Sequence, residues 1–195
     1  MLTRKEMMEQ RAREIYQVAS RILCEQGYEK ASIRDLAEAT GMTKAGLYYY
    51  FKSKEELLFI ILDAYMDSLL EGVAAIANQV ADPAQRLQAF IRFQVDLYCR
   101  DVHRSKLIIH DENCLSGEWR QTIKDKQRRY LDYWRQTLAD YCRQNGIGLA
   151  HLSADLMLLI GMCNWIYQWY DPDGELRPDA LAEQIYQRFC HGLAG

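Results

Sequence analysis

The sequence has few residues that would break a helix. Three prolines occur in 195 residues, and no alternating apolar and polar run is bounded by an Asn-Gly or Asp-Gly turn. No Cys-x-x-Cys pair, glycine-rich phosphate loop or Gly-x-Ser-x-Gly elbow is present. The longest apolar run, from Leu156, is interrupted by Gly161, Asn164 and Gln168 and is too short to span a bilayer. These absences argue against a β fold, the common catalytic motifs and a membrane protein, and they predict an all-α protein.

The sequence does contain enough apolar residues for a core, and its charge is unevenly distributed. Apolar residues make up 49% of the chain, which argues against disorder. The net charge of −3 divides into +3 over residues 1–54 and −6 over residues 55–195. Positive charge at the N-terminal end suits a contact with phosphate groups. The chain opens with charged residues rather than an apolar signal segment, so we expect a cytoplasmic protein.

Two short helices are predicted near the N-terminus. An amphipathic helix should run from Ile33 to Thr40, where Gly41 is suited to end it. Thr43 can cap a second helix whose inward residues are Leu47 and Phe51. Two short helices joined by a glycine-containing turn form a helix-turn-helix. A longer helix over residues 9–26 should brace them from behind, with Arg4, Lys5 and Arg11 as a flexible basic start.

The outward edge of the second short helix suits a DNA groove. Lys44 can donate to guanine, while Ala45 and Gly46 permit close approach to a thymine methyl group. The hydroxyls of the neighbouring tyrosines can reach phosphate oxygens, and Lys54 at the next helix start is a candidate phosphate anchor. The predicted DNA contacts in this segment are Thr43, Lys44, Ala45, Gly46, Tyr48, Tyr49 and Lys54.

Residues 41–58, GMTKAGLYYYFKSKEELL, resemble the signature of the TetR family of bacterial repressors, and the similarity extends back through residues 32–37. The resemblance implies an N-terminal three-helix helix-turn-helix DNA-binding domain at residues 1–53. It also implies a larger helical domain at residues 54–195 for effector binding and dimerisation. Ser32 and Arg34 join the expected DNA contacts. A protein of this kind would be a ligand-responsive regulator, most often a repressor, bound as a dimer to a palindromic operator in double-stranded DNA.

The last third of the chain suggests how a dimer would form. A helix over residues 152–170 is apolar on nearly every side and is expected to be buried all round. A final helix begins at Pro178. Two apolar helices in so short a chain offer more apolar surface than one copy covers, so we predict a two-fold dimer with a four-helix bundle. The residues assigned to it are Leu158, Met162, Leu181, Ile185 and Phe189.

Tryptophans and tyrosines of the second half indicate an apolar effector cavity, although aromatic residues at helical spacing are also ordinary core. Residues 164–174 are similar to TetR regulators that respond to acyl-coenzyme A thioesters of fatty-acid or steroid breakdown. Basic residues at intervals of four, over 120–128, would meet the phosphates of coenzyme A, or would simply form a solvated face. The residues assigned to the ligand are Arg120, Lys124, Arg128, Tyr130, Trp134, Asn164, Trp165, Gln168 and Trp169.

A second effector class is also open. A repressor that senses lipophilic cations or multiple drugs would place buried carboxylates against aromatic rings. Asp96, Asp132 and Asp155 are the candidates, and none stands out from its sequence context. The sequence does not separate repression from activation.

An enzyme is the remaining alternative. His103 and His110 lie two helical turns apart, but two histidines without a third matched ligand are a weak metal signal. Cys114 with His110 would be a nucleophile and base at an interval of four. We predict that the protein is not an enzyme and that it uses no metal or cofactor.

Overall fold

The computed structural model describes residues 3–194, and all regular structure in these residues is helical, as predicted. No helix among them is long and apolar enough to cross a bilayer. A 3₁₀ helix at Glu112–Cys114 separates α6 from α7. The α-helices are α1 (Arg4–Gln26), α2 (Ile33–Thr40), α3 (Lys44–Leu47), α4 (Lys54–Gln79), α5 (Pro83–Arg100), α6 (Val102–His110), α7 (Gly117–Gln144), α8 (Leu152–Asn164), α9 (Ile166–Trp169) and α10 (Pro178–Ala194).

The chain packs into two compact units. The first, the N-terminal unit, contains residues 3–65 and 103–124, and the second, the C-terminal unit, contains residues 66–102 and 125–194. Helices α4 and α7 contribute residues to both. The predicted division into domains at 1–53 and 54–195 falls at the start of α4 and stays a prediction, since residues 54–65 pack within the N-terminal unit.

The helix ends predicted at Gly41 and Thr43 are confirmed, and Asp82 provides a further local cap. Gly41 ends α2 with φ +64°, a left-handed conformation that costs glycine little. The hydroxyl of Thr43 accepts from the amide of Gly46 at 3.1 Å and caps α3. A carboxylate oxygen of Asp82 accepts from the amide of Gln85 at 2.8 Å at the start of α5. These caps fix where the short helices begin and end.

Helix α1 begins five residues earlier than predicted. The hydroxyl of Thr3 accepts from the amide of Glu6 at 3.2 Å, and the Glu6 carboxylate accepts from the Thr3 amide at 2.6 Å. This capping box satisfies two amides of the first turn and starts the helix at Arg4. The prediction of a flexible basic start was therefore wrong. Arg4, Lys5 and Arg11 are helical residues with exposed side chains.

The predicted single helix over residues 152–170 is interrupted at Trp165, between α8 and α9. The expectation that it is buried all round was also wrong for the single chain. Leu156, Leu159 and Cys163 are buried on one side of α8. Apolar side chains from α8 to the end of α9 are exposed within the described residues, and we call this set the apolar face: Met157, Leu158, Met162, Trp165 and Trp169.

Helix α10 packs against α5 within the C-terminal unit. Its residues Leu181, Ile185 and Phe189 are 6 to 7% exposed, so they belong to the core of one chain. The interval of four therefore identifies a face that is largely covered within one chain. Their assignment to the dimer contact stays a prediction.

Lys54, the first residue of α4, is bound to the turn between α1 and α2. Its ammonium group donates to the carbonyl oxygens of Tyr28, Glu29 and Ala31 at 2.8, 3.2 and 3.0 Å. It also lies 4.5 Å from the centre of the Tyr28 ring. An ammonium has three donors, and all three are engaged here. Lys54 therefore has no donor left for a phosphate, and its assignment as a phosphate anchor is corrected to a structural role.

Replacing Lys54 tests this role. Lys54→Met would leave three carbonyls without their donor, and hydrogen bonds to charged groups contribute about 1.5–3 kcal/mol net. We expect the free energy of unfolding in urea to fall by about 2 kcal/mol. The matched control is Lys52→Met, because the Lys52 side chain is exposed, and its effect should stay within about 0.5 kcal/mol. Equal effects of the two changes would show that the carbonyl contacts do not hold in solution.

Candidate DNA-binding face and effector site

Helix α2 presents its first turn on the surface of the N-terminal unit. The hydroxyl of Ser32 donates to a carboxylate oxygen of Asp35 at 2.7 Å and accepts from the Asp35 amide at 3.3 Å. The hydroxyl and the backbone amide of Ser32 both donate to the Asp35 carboxylate, and these two hydrogen bonds hold its pKa below the usual value. The Ser32 hydroxyl is thus engaged in capping α2, and its predicted DNA contact is corrected to a positioning role. Arg34, the second residue of the same helix, is exposed.

Helix α3 is anchored on one side and open on the other. Leu47 is 0% exposed and Phe51 is 2% exposed, so both hold the segment against the core of its unit. The exposed side carries the residues predicted to face DNA. Lys44 and Ala45 are exposed, as are Tyr48 and Tyr49, which expose 49% and 69% of their surface. The burial pattern expected for a helix that enters a groove is therefore present.

There is little room for a side chain at Gly46, in the middle of this face. A Cβ added at Gly46 would lie 3.3 Å from the end of the Met42 side chain and 3.3 Å from the Thr43 hydroxyl. The absence of a side chain at Gly46 therefore avoids a close contact with Met42 and Thr43 next to Lys44. The side chains of Lys44 and Arg34 make no hydrogen bond or ion pair within the described residues, so both cations are free to meet a ligand. We call Arg34, Thr43, Lys44, Ala45, Gly46, Tyr48 and Tyr49 the α3 face.

The interior of the C-terminal unit contains a group of polar side chains, which we call the Gln94 cluster. Gln94 on α5 is 2% exposed, and its amide oxygen accepts from the Tyr130 hydroxyl of α7. Its amide nitrogen donates to the side-chain oxygen of Asn164 on α8 at 3.2 Å. The Tyr98 hydroxyl donates to the same oxygen at 2.8 Å. Buried polar groups need partners, and this cluster supplies them across three helices.

Trp134 lies one helical turn after Tyr130 on α7 and is 0% exposed. Its ring packs edge-on against Phe90 at 5.3 Å between ring centres and against Tyr130 at 6.2 Å. The indole nitrogen is buried and donates to no acceptor among the described residues. Three predicted ligand residues, Tyr130, Trp134 and Asn164, are thus assembled in one interior.

Sequence reasoning missed two members of this group. Gln94 and Tyr98 occupy inward positions of α5, one helical turn apart. The available signal was a glutamine between Ile91 and Val95, on a helix face that is otherwise apolar. A polar residue at such a position needs a hydrogen-bond partner inside the protein.

The other aromatic residues predicted to bind a ligand are elsewhere. Trp165 is 60% exposed, Trp169 is 51% exposed, and Gln168 is exposed beside them. Their side chains project from α8 and α9 to the surface, so their assignment to the same interior as Trp134 was wrong. The helical spacing of these residues predicted that they lie in helical segments, but it did not predict which side of each helix is buried.

The basic residues of α7 do not form an open row. Arg120 donates to the side-chain oxygen of Asn113 at 2.7 Å in the N-terminal unit. Arg128 lies in the C-terminal unit, where it pairs with Asp125 at 2.8 Å and is largely exposed. Their predicted role in holding coenzyme A phosphates stays a prediction. Lys124 is half-buried, and its role stays a prediction.

The residues proposed for catalysis do not assemble. His103 lies 4.0 Å from the Glu25 carboxylate, and no three His, Cys, Asp or Glu side chains converge on a metal position within residues 3–194. The Cys114 thiol contacts Glu29 at 3.9 Å, and burial raises the pKa of the thiol, which disfavours the reactive thiolate.

The lipophilic-cation alternative needs a carboxylate without a cationic partner. Asp96 has such a partner, because the Arg100 guanidinium lies 2.9 Å from its carboxylate.

Two family profiles match the chain. The profile described as "Bacterial regulatory proteins, tetR family" matches residues 15–60. The profile described as "Tetracyclin repressor-like, C-terminal domain" matches residues 80–193, which is more than half of the chain. The first covers the helix-turn-helix, and the second covers the segment with the Gln94 cluster.

Individual proteins are similar over nearly the whole chain. The transcriptional repressor KstR2 of Mycobacterium tuberculosis is 26% identical over 187 residues, which are 93% of this chain and 90% of KstR2. The transcriptional activator FasR of Mycolicibacterium smegmatis is 29% identical over 183 residues, 90% of this chain and 80% of FasR. The solved structure of AibR with isovaleryl coenzyme A and operator DNA is 33% identical, with a TM-score of 0.83 over 91% of this chain and 97% of AibR. The chain therefore belongs to the TetR family of bacterial transcriptional regulators.

Proposed function

We propose that this TetR-family regulator is a repressor that binds a palindromic operator as a homodimer and is released by an acyl-coenzyme A thioester. The observation that carries the DNA-binding part is the α3 face. Its two cations are unpaired within the described residues, and its aromatic residues are exposed although the opposite side of α3 is buried. Such an arrangement is expected when the partner that covers the face is not part of the chain.

The residues of the α3 face suit different parts of a duplex. The first residues of a recognition helix reach base edges in the major groove, so Lys44 is assigned to a guanine edge. Ala45 and Gly46 let the backbone approach the bases. Arg34 and the hydroxyls of Tyr48 and Tyr49 are assigned to phosphates, which fix the position of the protein without reading sequence.

The homodimer is supported by the apolar face of α8 and α9. The five residues of this face expose between 37% and 64% of their surface: Met157, Leu158, Met162, Trp165 and Trp169. An apolar surface of this kind marks a protein interface, and Trp is enriched at the centre of such contacts. A second copy is the proposed occupant because one α3 face contacts too few phosphates for specific binding, whereas two faces match a palindrome.

The effector class is supported by the uncharged character of the Gln94 cluster. Gln94, Tyr98, Tyr130 and Asn164 offer neutral hydrogen-bonding groups, with aromatic rings beside them. A buried cation would instead require a carboxylate. AibR, similar over nearly its whole length, was solved with isovaleryl coenzyme A and operator DNA. Release requires that the effector prefer the conformation that does not bind DNA.

The experiment for the DNA-binding part is selection of bound sequences from random duplexes. We expect a palindrome, with affinity that falls as salt rises because phosphate contacts release counterions. Lys44→Ala should change which half-sites are selected, since it removes a base contact. Arg34→Ala should weaken all sequences alike and reduce the salt slope by about one. Identical changes in selectivity for both variants would contradict the assignment of Lys44 to a base edge.

The dimer is tested by a charge at its proposed centre. Leu158→Lys should raise the dimer dissociation constant at least about tenfold, because the interface would have to bury an unpaired ammonium. Leu149→Lys is the matched control, since Leu149 is exposed but lies outside α8. Sedimentation velocity reports both constants. An unchanged dimer in Leu158→Lys would move the interface away from the α8 face.

The effector class is tested by thermal unfolding with ligand panels. Palmitoyl-CoA or a polycyclic acyl-CoA should raise the melting temperature by about 5–10 °C at a hundredfold excess over its dissociation constant. Free coenzyme A and cationic dyes should leave it unchanged. Stabilisation by the dyes alone would replace the thioester with a lipophilic cation as effector.

A further inference from the structure

The buried indole N–H of Trp134 is a hydrogen-bond donor without an acceptor in the described residues. Trp134 is 0% exposed, and Phe90 and Tyr130 flank its ring. An indole nitrogen only donates, so it cannot be satisfied by another donor. A buried donor without an acceptor destabilises the structure, so an unsatisfied donor in a native protein calls for an explanation, which can be functional.

The side-chain oxygens of Gln94 and Asn164 in the Gln94 cluster already have partners. The amide oxygen of Gln94 accepts from the Tyr130 hydroxyl. The side-chain oxygen of Asn164 accepts from both Gln94 and Tyr98, at 3.2 and 2.8 Å. Both oxygens hold hydrogen bonds that join two helices, and neither accepts from the Trp134 indole. The indole N–H is therefore a donor that an acceptor on a bound molecule can satisfy.

We infer that Trp134 is the residue that recognises the carbonyl oxygen of the effector. This inference rests on the proposed function, in which the C-terminal unit binds an acyl thioester. A thioester carbonyl is a neutral acceptor attached to an apolar chain, and it matches a neutral donor set among aromatic rings. A free carboxylate would bring an unpaired charge into the same interior, and burying it is unfavourable. Trp134 thus selects the thioester over both the fatty acid and the alkyl chain.

The test compares thioesters with thioethers that lack only the carbonyl oxygen. The pairs are palmitoyl-CoA with S-hexadecyl-CoA, and isovaleryl-CoA with S-(3-methylbutyl)-CoA. One hydrogen bond corresponds to about tenfold in affinity, so the wild-type protein should bind each thioester about tenfold more tightly than its thioether. Isothermal titration calorimetry measures both constants. Trp134→Phe should lower thioester affinity about tenfold and leave thioether affinity unchanged, so that the preference disappears.

The matched control is Trp119→Phe, the same chemical change at a tryptophan that stacks on Phe59 at 5.5 Å in the N-terminal unit. It should keep the tenfold preference. A second measurement needs no folded Trp134 variant. In ¹⁵N-labelled wild-type protein, palmitoyl-CoA should move the Trp134 indole N–H resonance downfield, and S-hexadecyl-CoA should not.

The outcomes separate the inference from the proposed function on which it rests. Equal affinities for thioester and thioether in the wild type would overturn the role of Trp134 but leave an acyl-CoA effector in place. A preference that survives in Trp134→Phe would also overturn it. Absence of binding by both pairs would overturn the proposed effector class itself.

Discussion

The ammonium group of Lys54 is the contact on which the geometry of the N-terminal unit depends. It lies at the start of α4 and holds three carbonyls of the turn between α1 and α2. Helix α3 lies between these two points in the chain, and its four residues are too few to hold a position alone. The Lys54 hydrogen bonds and the buried side chains of Leu47 and Phe51 together keep the α3 face exposed. Lys54 thus fixes the connection between the α1–α2 turn and the start of α4.

Helix α8 connects the two properties proposed for the C-terminal unit. Its last residue, Asn164, belongs to the Gln94 cluster, whereas Leu158 and Met162 on its outer side belong to the apolar face. Under the proposed function, a ligand that enters beside Trp134 would alter the hydrogen bonds that join α8 to α5 and α5 to α7. The same movement would alter the surface proposed to meet the second copy. Under this proposal, effector binding and the spacing of two α3 faces are linked through one helix.

Local signals in the sequence were sufficient for most of the fold. Gly41, Thr43 and Asp82 act within three or four residues of themselves, so their helix ends were predictable. The Thr3 and Glu6 capping box was equally readable and would have placed the start of α1.

Contacts distant in sequence were not predictable in the same way. Lys54 reaches carbonyls 23 to 26 residues away, and no pattern in the sequence specifies them. Apolar spacing predicted helical positions for both Leu181 and Trp165. Only the packing shows that Leu181 is buried, on a helix that packs against α5, whereas Trp165 is exposed. Residue type was enough to identify Tyr130, Trp134 and Asn164. The hydrogen bonds that Gln94 makes with Tyr130 and Asn164 could be seen only in the structure.

Hydroxyl-radical footprinting of the protein on a selected operator tests the central claim most directly, namely that two copies of the α3 face read one DNA molecule. We expect two protected patches related by a two-fold axis, with centres about one helical turn apart or somewhat more. Both patches should appear together as protein is added, because the binding species is the dimer. A single protected patch, or no protection of double-stranded DNA at low ionic strength, would contradict the account.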